Sequence, residues 1–267
     1  MNRPVIKAIM TKDLTAVRRS KAVVLPMVFV PLVLMVVLPL ILGLAARSQT
    51  NFDLSRVLNN IPGNLAHPIL ALPEREQLIV LVSGYLLAPL FLIVPLMISA
   101  VLAADTFAGE KERKTLESTL HLPVDERDLF VAKFLTAYLP GVLVTWIGFL
   151  CFAIVANTVA WPVMHRVFVP TLAWAVMVFW VAPAVTALGL SLIVRVSARS
   201  RTSQEANQLG GTVILPLIIL AVGQSSALLL VDVKIAIAIG ALIWVIALQL
   251  CTRGAQKFTR DQLATCL

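Results

Sequence analysis

Charge is the scarcest property of this chain. Only 13% of its 267 residues are Asp, Glu, Lys or Arg, while 59% are hydrophobic. A soluble domain carries roughly 25% charged and about 45–50% apolar residues. Too little polar surface exists to cover a water-soluble particle of this size. That excludes an ordinary soluble enzyme, a disordered chain and a fibrous repeat. Cysteine is sparse as well. Cys151, Cys251 and Cys266 are widely spaced, with no C-x-x-C pair, so neither a disulfide framework nor a zinc site is indicated. His67, His121 and His165 are isolated, and no H-E-x-x-H or pair of intramembrane acids occurs, which counts against an intramembrane protease. No G-x-x-x-x-G-K-[ST] is present, so the chain has no loop of that kind to cradle nucleotide phosphates.

What is abundant is long uncharged runs. A helix needs about 20 apolar residues to cross ~30 Å of hydrocarbon. Six runs qualify as candidates: Ala22–Ala45, Leu78–Ala104, Phe134–Val159, Val167–Val194, Leu209–Leu230 and Ile235–Leu250. None contains Asp, Glu, Lys or Arg. The fifth is interrupted at Gly223-Gln224-Ser225-Ser226, and the sixth is short. The first is about twice as long as a signal-peptide apolar core, which favours a retained span. The expected fold is therefore an all-α polytopic membrane protein with six transmembrane helices, forming a single transmembrane domain over residues 1–267.

The net charge of +8 belongs to this frame. Lys and Arg concentrate in cytoplasmic segments, where they hold spans in orientation. The N-terminal tail (Arg3, Lys7, Lys12, Arg18, Arg19, Lys21), the second connection (Lys111, Arg113, Lys114, Arg127, Lys133), the fourth (Arg195, Arg199, Arg201) and the C-terminal tail (Arg253, Lys257, Arg260) hold seventeen of the twenty-two. Arg47, Arg56, Arg75, Arg166 and Lys234 fall on the other side. Both termini are thus expected inside, and the basic balance reflects the lipid bilayer; no nucleic-acid partner is indicated.

Three polar segments remain. In residues 1–21, Ile6, Met10, Leu14 and Val17 form one helical stripe, with Lys7, Lys12, Arg18 and Arg19 on other faces. This predicts an amphipathic interfacial helix in the headgroup plane. The outer loop 46–77, with Pro62, Pro68 and Pro73, predicts short surface helices. The connection 105–133 is the most informative. Glu110–Leu120 reads as a helix with a Glu110/Lys114 pair and a narrow Leu116/Leu120 stripe, ended by Pro123. A second helix starts at Asp125, with Asp128 in the capping-box position and Val124 and Leu129 as a staple. Thr202 and Glu205 form another capping box before the fifth run. Such punctuation suits a firm cytoplasmic hairpin.

The segment Phe107–Leu135, FAGEKERKTLESTLHLPVDERDLFVAKFL, resembles the signature of ABC-2 type transporter permeases. The matching positions are Glu110, Lys111, Glu112, Thr115, Leu116, Glu117, Pro123 and Lys133; Lys114 and Ala132 stand where glycine is common in that family. The opening MTKDL run is similar to the sodium-exporter (NatB-like) branch. The resemblance implies a half-transporter in a prokaryotic cell (inner) membrane. It would pair with a second copy of itself or a paralogous permease and sit on a separate ABC-type ATPase subunit. That subunit would bind ATP and Mg, leaving this chain non-catalytic and without a cofactor. It also implies that Glu110–Leu120 is a coupling helix. Glu110, Lys111, Glu112, Arg113, Thr115, Leu116, Glu117 and Leu120 would contact the ATPase, and the N-terminal helix would be a second contact. An ATPase-coupled scaffold that transmits force without transporting is the alternative of a different class.

Hydroxyls in the runs, Thr136, Tyr138, Thr145, Thr186, Ser191 and Thr212, are candidates for a cargo pathway, although such groups more often serve as glue between helices. The uncharged interior favours an apolar or amphiphilic cargo over a bare ion such as Na+. The prolines kink spans where neighbouring groups re-satisfy the backbone.

Overall fold

A computed structural model describes residues 2–48, 69–88, 90–106, 125–197, 204, 208 and 233–257. Every regular element among them is helical. Helix α1 is Arg3–Arg19. Helix α2 joins Lys21–Leu32, a wide π turn at Val33–Val37, and Leu38–Ser48. Helix α3, Glu74–Ile79, runs into a π turn at Val80–Leu86, and α4 is Leu90–Ala104. Helix α5 is Glu126–Met164. Helix α6 joins Leu172–Val176, a π turn at Met177–Val181, and Ala182–Ser197. Helix α7 is Val233–Lys257. Four helices, Val23–Ser48, Glu126–Met164, Leu172–Val194 and Val233–Gly254, are long and apolar enough to cross a membrane.

The second uncharged run, Leu78–Ala104, is not one helix. It divides into α3 with its π turn and the 15-residue α4. The division falls at Pro89 in the sequence, and a proline brings no N–H to a helical ladder. Leu90 and Phe91 begin α4 by donating to the carbonyls of Leu87 and Ala88, at 3.2 and 3.1 Å. The π turns of α2 and α6 also precede prolines, Pro39 and Pro183, each two residues past the turn. In a π turn the N–H of residue 183 would reach the Val178 carbonyl. The proline cannot supply it, and the indole N–H of Trp146 donates to that oxygen instead, at 3.3 Å.

Helix α4 is the central element. Phe91, Leu92, Val94, Leu96, Ile98, Leu102, Ala103 and Ala104 are all buried, as expected for a helix apolar all round. It packs against α5 and α6, while α7 lies against α6. Phe91 meets Phe149, Phe152 and Trp174 edge-on at centroid distances of 5.1–5.7 Å, favourable aromatic geometry. Helices α4 and α5 touch where Gly141 faces Ser99 and the Pro95 carbonyl. Tyr138 and Trp146 of α5 reach Pro183 and Val178 of α6, so these two helices are antiparallel. Trp180 of α6 reaches Ile237 of α7, and Gly254 of α7 lies beside Phe130 of α5, so α6 and α7 run the same way.

The bundle thus has two ends. One, here called the base, gathers the start of α1, the end of α4, the start of α5 and the end of α7. At the far end, Ala46, Ile79, Ala160 and Met164 form a small apolar cluster. His165 closes α5 there in the left-handed region, with φ 48°, a conformation seldom taken by residues other than glycine.

Candidate functional site at the base of the bundle

Helix α5 is the longest element, with 39 residues. At 1.5 Å per residue it spans about 58 Å, roughly twice the hydrocarbon thickness. Its first turns therefore reach past an apolar layer. The start is fixed by Asp125, which accepts from the Arg127 backbone N–H at 3.2 Å as an N-cap. Glu126 and Asp128 suit the positive end of the helix dipole. The expected reciprocal role of Asp128 does not form. Its Oδ2 accepts from the backbone N–H of Asn2 at 2.7 Å, and so ties α1 to α5.

Helix α1 packs along this part of α5. Ile6, Ile9 and Val17 share one buried cluster with Leu129 and Phe130. The buried face is rotated from the expected stripe: Ile9 and Asp13 are buried, whereas Met10 and Leu14 are only partly so. The apolar face of α1 thus meets protein. Its opposite face, with Lys7, Thr11, Lys12, Thr15 and Arg19, is exposed. Asp13 is buried on the α5-facing side, with Lys12 Nζ at 3.6 Å.

Lys133 completes the base. It is 1% exposed. Its Nζ donates to the Thr106 carbonyl at 2.7 Å, across 27 residues of sequence. Thr106 is itself buried and turns its hydroxyl back to the Leu102 carbonyl. Thr106 and Asp125 are the described residues that flank segment 107–124, and both are held at this base. The expected coupling residues, Glu110, Lys111, Glu112, Arg113, Thr115, Leu116, Glu117 and Leu120, lie outside the described residues, as do Val124, Thr202, Glu205 and Thr212.

The other hydroxyls are placed. Thr136, Thr145, Thr186 and Ser191 are buried, and each donates to the carbonyl four residues back in its own helix, at 2.7–2.9 Å. Tyr138 donates across to the Pro183 carbonyl at 3.3 Å. Cys151 and Cys251 are free thiols. Among the described residues no cluster of three His, Cys, Asp or Glu side chains is placed to hold a metal.

The far end carries two polar devices that sequence patterning missed. Asn157 Nδ2 donates to the Ala153 and Val169 carbonyls at 2.7 and 2.5 Å, and its Oδ1 accepts from the N–H groups of Phe168 and Val169 at 3.0 and 3.4 Å. One amide thereby fixes the connection between α5 and α6. Arg166 pairs with Glu76 of α3 at 2.6 Å. An amide inside an otherwise apolar run was the only signal for the first. The second pairs residues 90 positions apart and left no local signal.

The sequence profile described as ABC-2 family transporter protein matches residues 7–252. No curated protein and no solved structure matches the chain. The match runs from the first turns of α1 to the last turns of α7 and so takes in the whole helical bundle. This integral membrane chain belongs to the ABC-2 transporter family.

Proposed function

We propose that this chain is the membrane-spanning permease subunit of an ATP-driven exporter, powered by a separate ABC-type ATPase subunit that binds ATP and Mg. The observation that carries this reading is the base itself. Two helices flanking the charged segment 107–124 are tied together there by a buried lysine, and one of them is a continuous helix about 58 Å long. A push that reaches Asp125 would be carried across the membrane along this one helix. Glu110, Lys111, Glu112, Arg113, Thr115, Leu116, Glu117 and Leu120 are the proposed ATPase contacts. Two copies, or one copy and a paralogue, form the working pair. The cargo is apolar or amphiphilic, in keeping with an interior where Thr136, Tyr138, Thr145, Thr186 and Ser191 already donate to helix carbonyls.

Six crossings with both termini in the cytoplasm complete the proposal. The parallel course of α6 and α7 supports a crossing at Leu209–Leu230, because Ser197 and Val233 then lie at opposite ends of the bundle. The seventeen-to-five distribution of Lys and Arg supports the orientation. A C-terminal tag should be labelled only after the cytoplasmic side is opened; labelling of intact cells would refute this topology. The coupling assignment is tested by Leu116→Asp. The variant should insert normally but lose the ATPase subunit in affinity purification. Full recovery of that subunit with the variant would overturn the assignment.

A further inference from the structure

We propose that Lys133 is the positioning residue for force transfer, clamping the end of α4 to the first turns of α5. The proposal deepens the reading above and rests on it. A lysine at the end of a membrane span ordinarily extends its stem so that the ammonium reaches water or headgroups. Lys133 does the opposite. It is 1% exposed and ranks with Phe91 and Phe152 among the largest fully buried side chains. Burying an ammonium is costly unless its N–H groups find acceptors.

The Thr106 carbonyl is such an acceptor, at 2.7 Å. It belongs to the π-helical residues, Asp105 and Thr106, that continue α4 past Ala104. The Thr106 hydroxyl donates to the Leu102 carbonyl and leaves the Thr106 carbonyl to the ammonium. Five residues before Lys133, Asp128 grips the N–H of Asn2 at 2.7 Å. Less than three turns of α5 therefore hold the end of α4 by a cation and the start of α1 by an anion. Apolar contacts permit sliding, whereas these charge-assisted bonds are directional. They fix Thr106 and Asp125, the described residues that flank segment 107–124, and make α1, α4 and α5 move as one body.

The test uses the full chain, purified with its ATPase subunit in lipid nanodiscs, and follows hydrogen exchange with and without ATP and vanadate. In K133M, exchange in residues 99–106 should quicken roughly tenfold or more. K133M should still insert and retain the ATPase, yet lose the vanadate-induced change at the far end of α5, residues 155–164. K133R, which keeps the charge, should retain that change. Unaltered exchange at 99–106 in K133M, a normal far-end response in K133M, or a response lost equally in K133R would each overturn the clamp. Should K133M not insert, K133Q, polar but too short to reach Thr106, replaces it with the same expected and refuting outcomes. If the wild-type chain captures no ATPase, the functional reading fails, while exchange at 99–106 still decides the clamp.

Discussion

Two glycines of α5, seven residues apart, should respond oppositely to the same substitution. An alanine Cβ at position 141 would stand 2.9 Å from the Pro95 backbone carbonyl oxygen, and nearer still to Ser99 Oγ. Both obstacles belong to α4, a largely buried helix. A backbone oxygen cannot swing aside, so α4 and α5 must separate. Overpacking of this kind costs about 1–3 kcal/mol, and a backbone obstacle puts it at the upper end. Removing a helical glycine returns about 1 kcal/mol of backbone entropy. Gly141→Ala should therefore be destabilised by about 2 kcal/mol. At Gly148 the obstacle is the Met35 sulfur, at the flexible end of a side chain that can repack. There the entropy gain offsets the repacking cost, and Gly148→Ala should fall within about 1 kcal/mol of wild type. Thermal unfolding in one detergent, followed by helix signal and by burial of a reporter thiol, measures the difference. Ser99→Ala provides a control. Its hydroxyl is buried without a hydrogen-bond partner among the described residues, so the single change should be neutral or mildly stabilising. Combined with Gly141→Ala it should recover only part of the loss, because the Pro95 oxygen remains. Equal stability of the two glycine variants, or full rescue by Ser99→Ala, would refute the argument.

Two further outcomes follow from hydrogen bonds that cross between elements. Trp146→Phe should cost about 1 kcal/mol, because it leaves the Val178 carbonyl without a donor, and much less in a Pro183→Ala background, where residue 183 again has an N–H; equal losses in both backgrounds would show that the indole is not replacing the missing proline donor. Asn157→Ala strips the partners from Phe168 N–H, Val169 N–H and the Val169 carbonyl, so it should lower stability by about 2–4 kcal/mol and speed amide exchange at 168–169. Slow exchange at those amides in the variant would show that the loop is held by something else.

Much of the helical layout was legible from hydropathy because hydrocarbon imposes it. A segment in lipid must satisfy its own backbone, so a long uncharged run has little alternative to helix. Ala22–Ala45, Phe134–Val159, Val167–Val194 and Ile235–Leu250 each overlap a membrane-length helix, and the largest difference at an end is between Phe134 and Glu126. The start at Asp125 was legible for a local reason: an acidic side chain can reach the free N–H groups of the first turn. Residues 167–171 were assigned to a span and instead form the connection held by Asn157, because hydropathy does not register a backbone held by one distant amide. The break within Leu78–Ala104 has a signal in Pro89. Prolines at 95 and 140 sit inside unbroken helices, however, so the residue type alone does not say which proline interrupts.

The candidate site divides in the same way. The resemblance to ABC-2 permeases marked both Glu110–Leu120, which lies outside the described residues, and Lys133, which the structure places at the base. That Lys133 turns inward, that Asp128 leaves its own helix start for Asn2, and that α1 presents Ile9 and Asp13 to α5 depend on contacts between elements far apart in sequence.

By itself, the sequence determined that this protein lives in a membrane, roughly where four membrane-length helices fall and which segments stay charged, because each of these follows from transfer of local stretches between water and hydrocarbon. Only the tertiary structure decided which helix is enclosed, which proline receives a substitute donor and where the buried lysine points. Those outcomes are set by which surfaces pack together, and a buried charge or an orphaned carbonyl acquires its partner only after the helices have met.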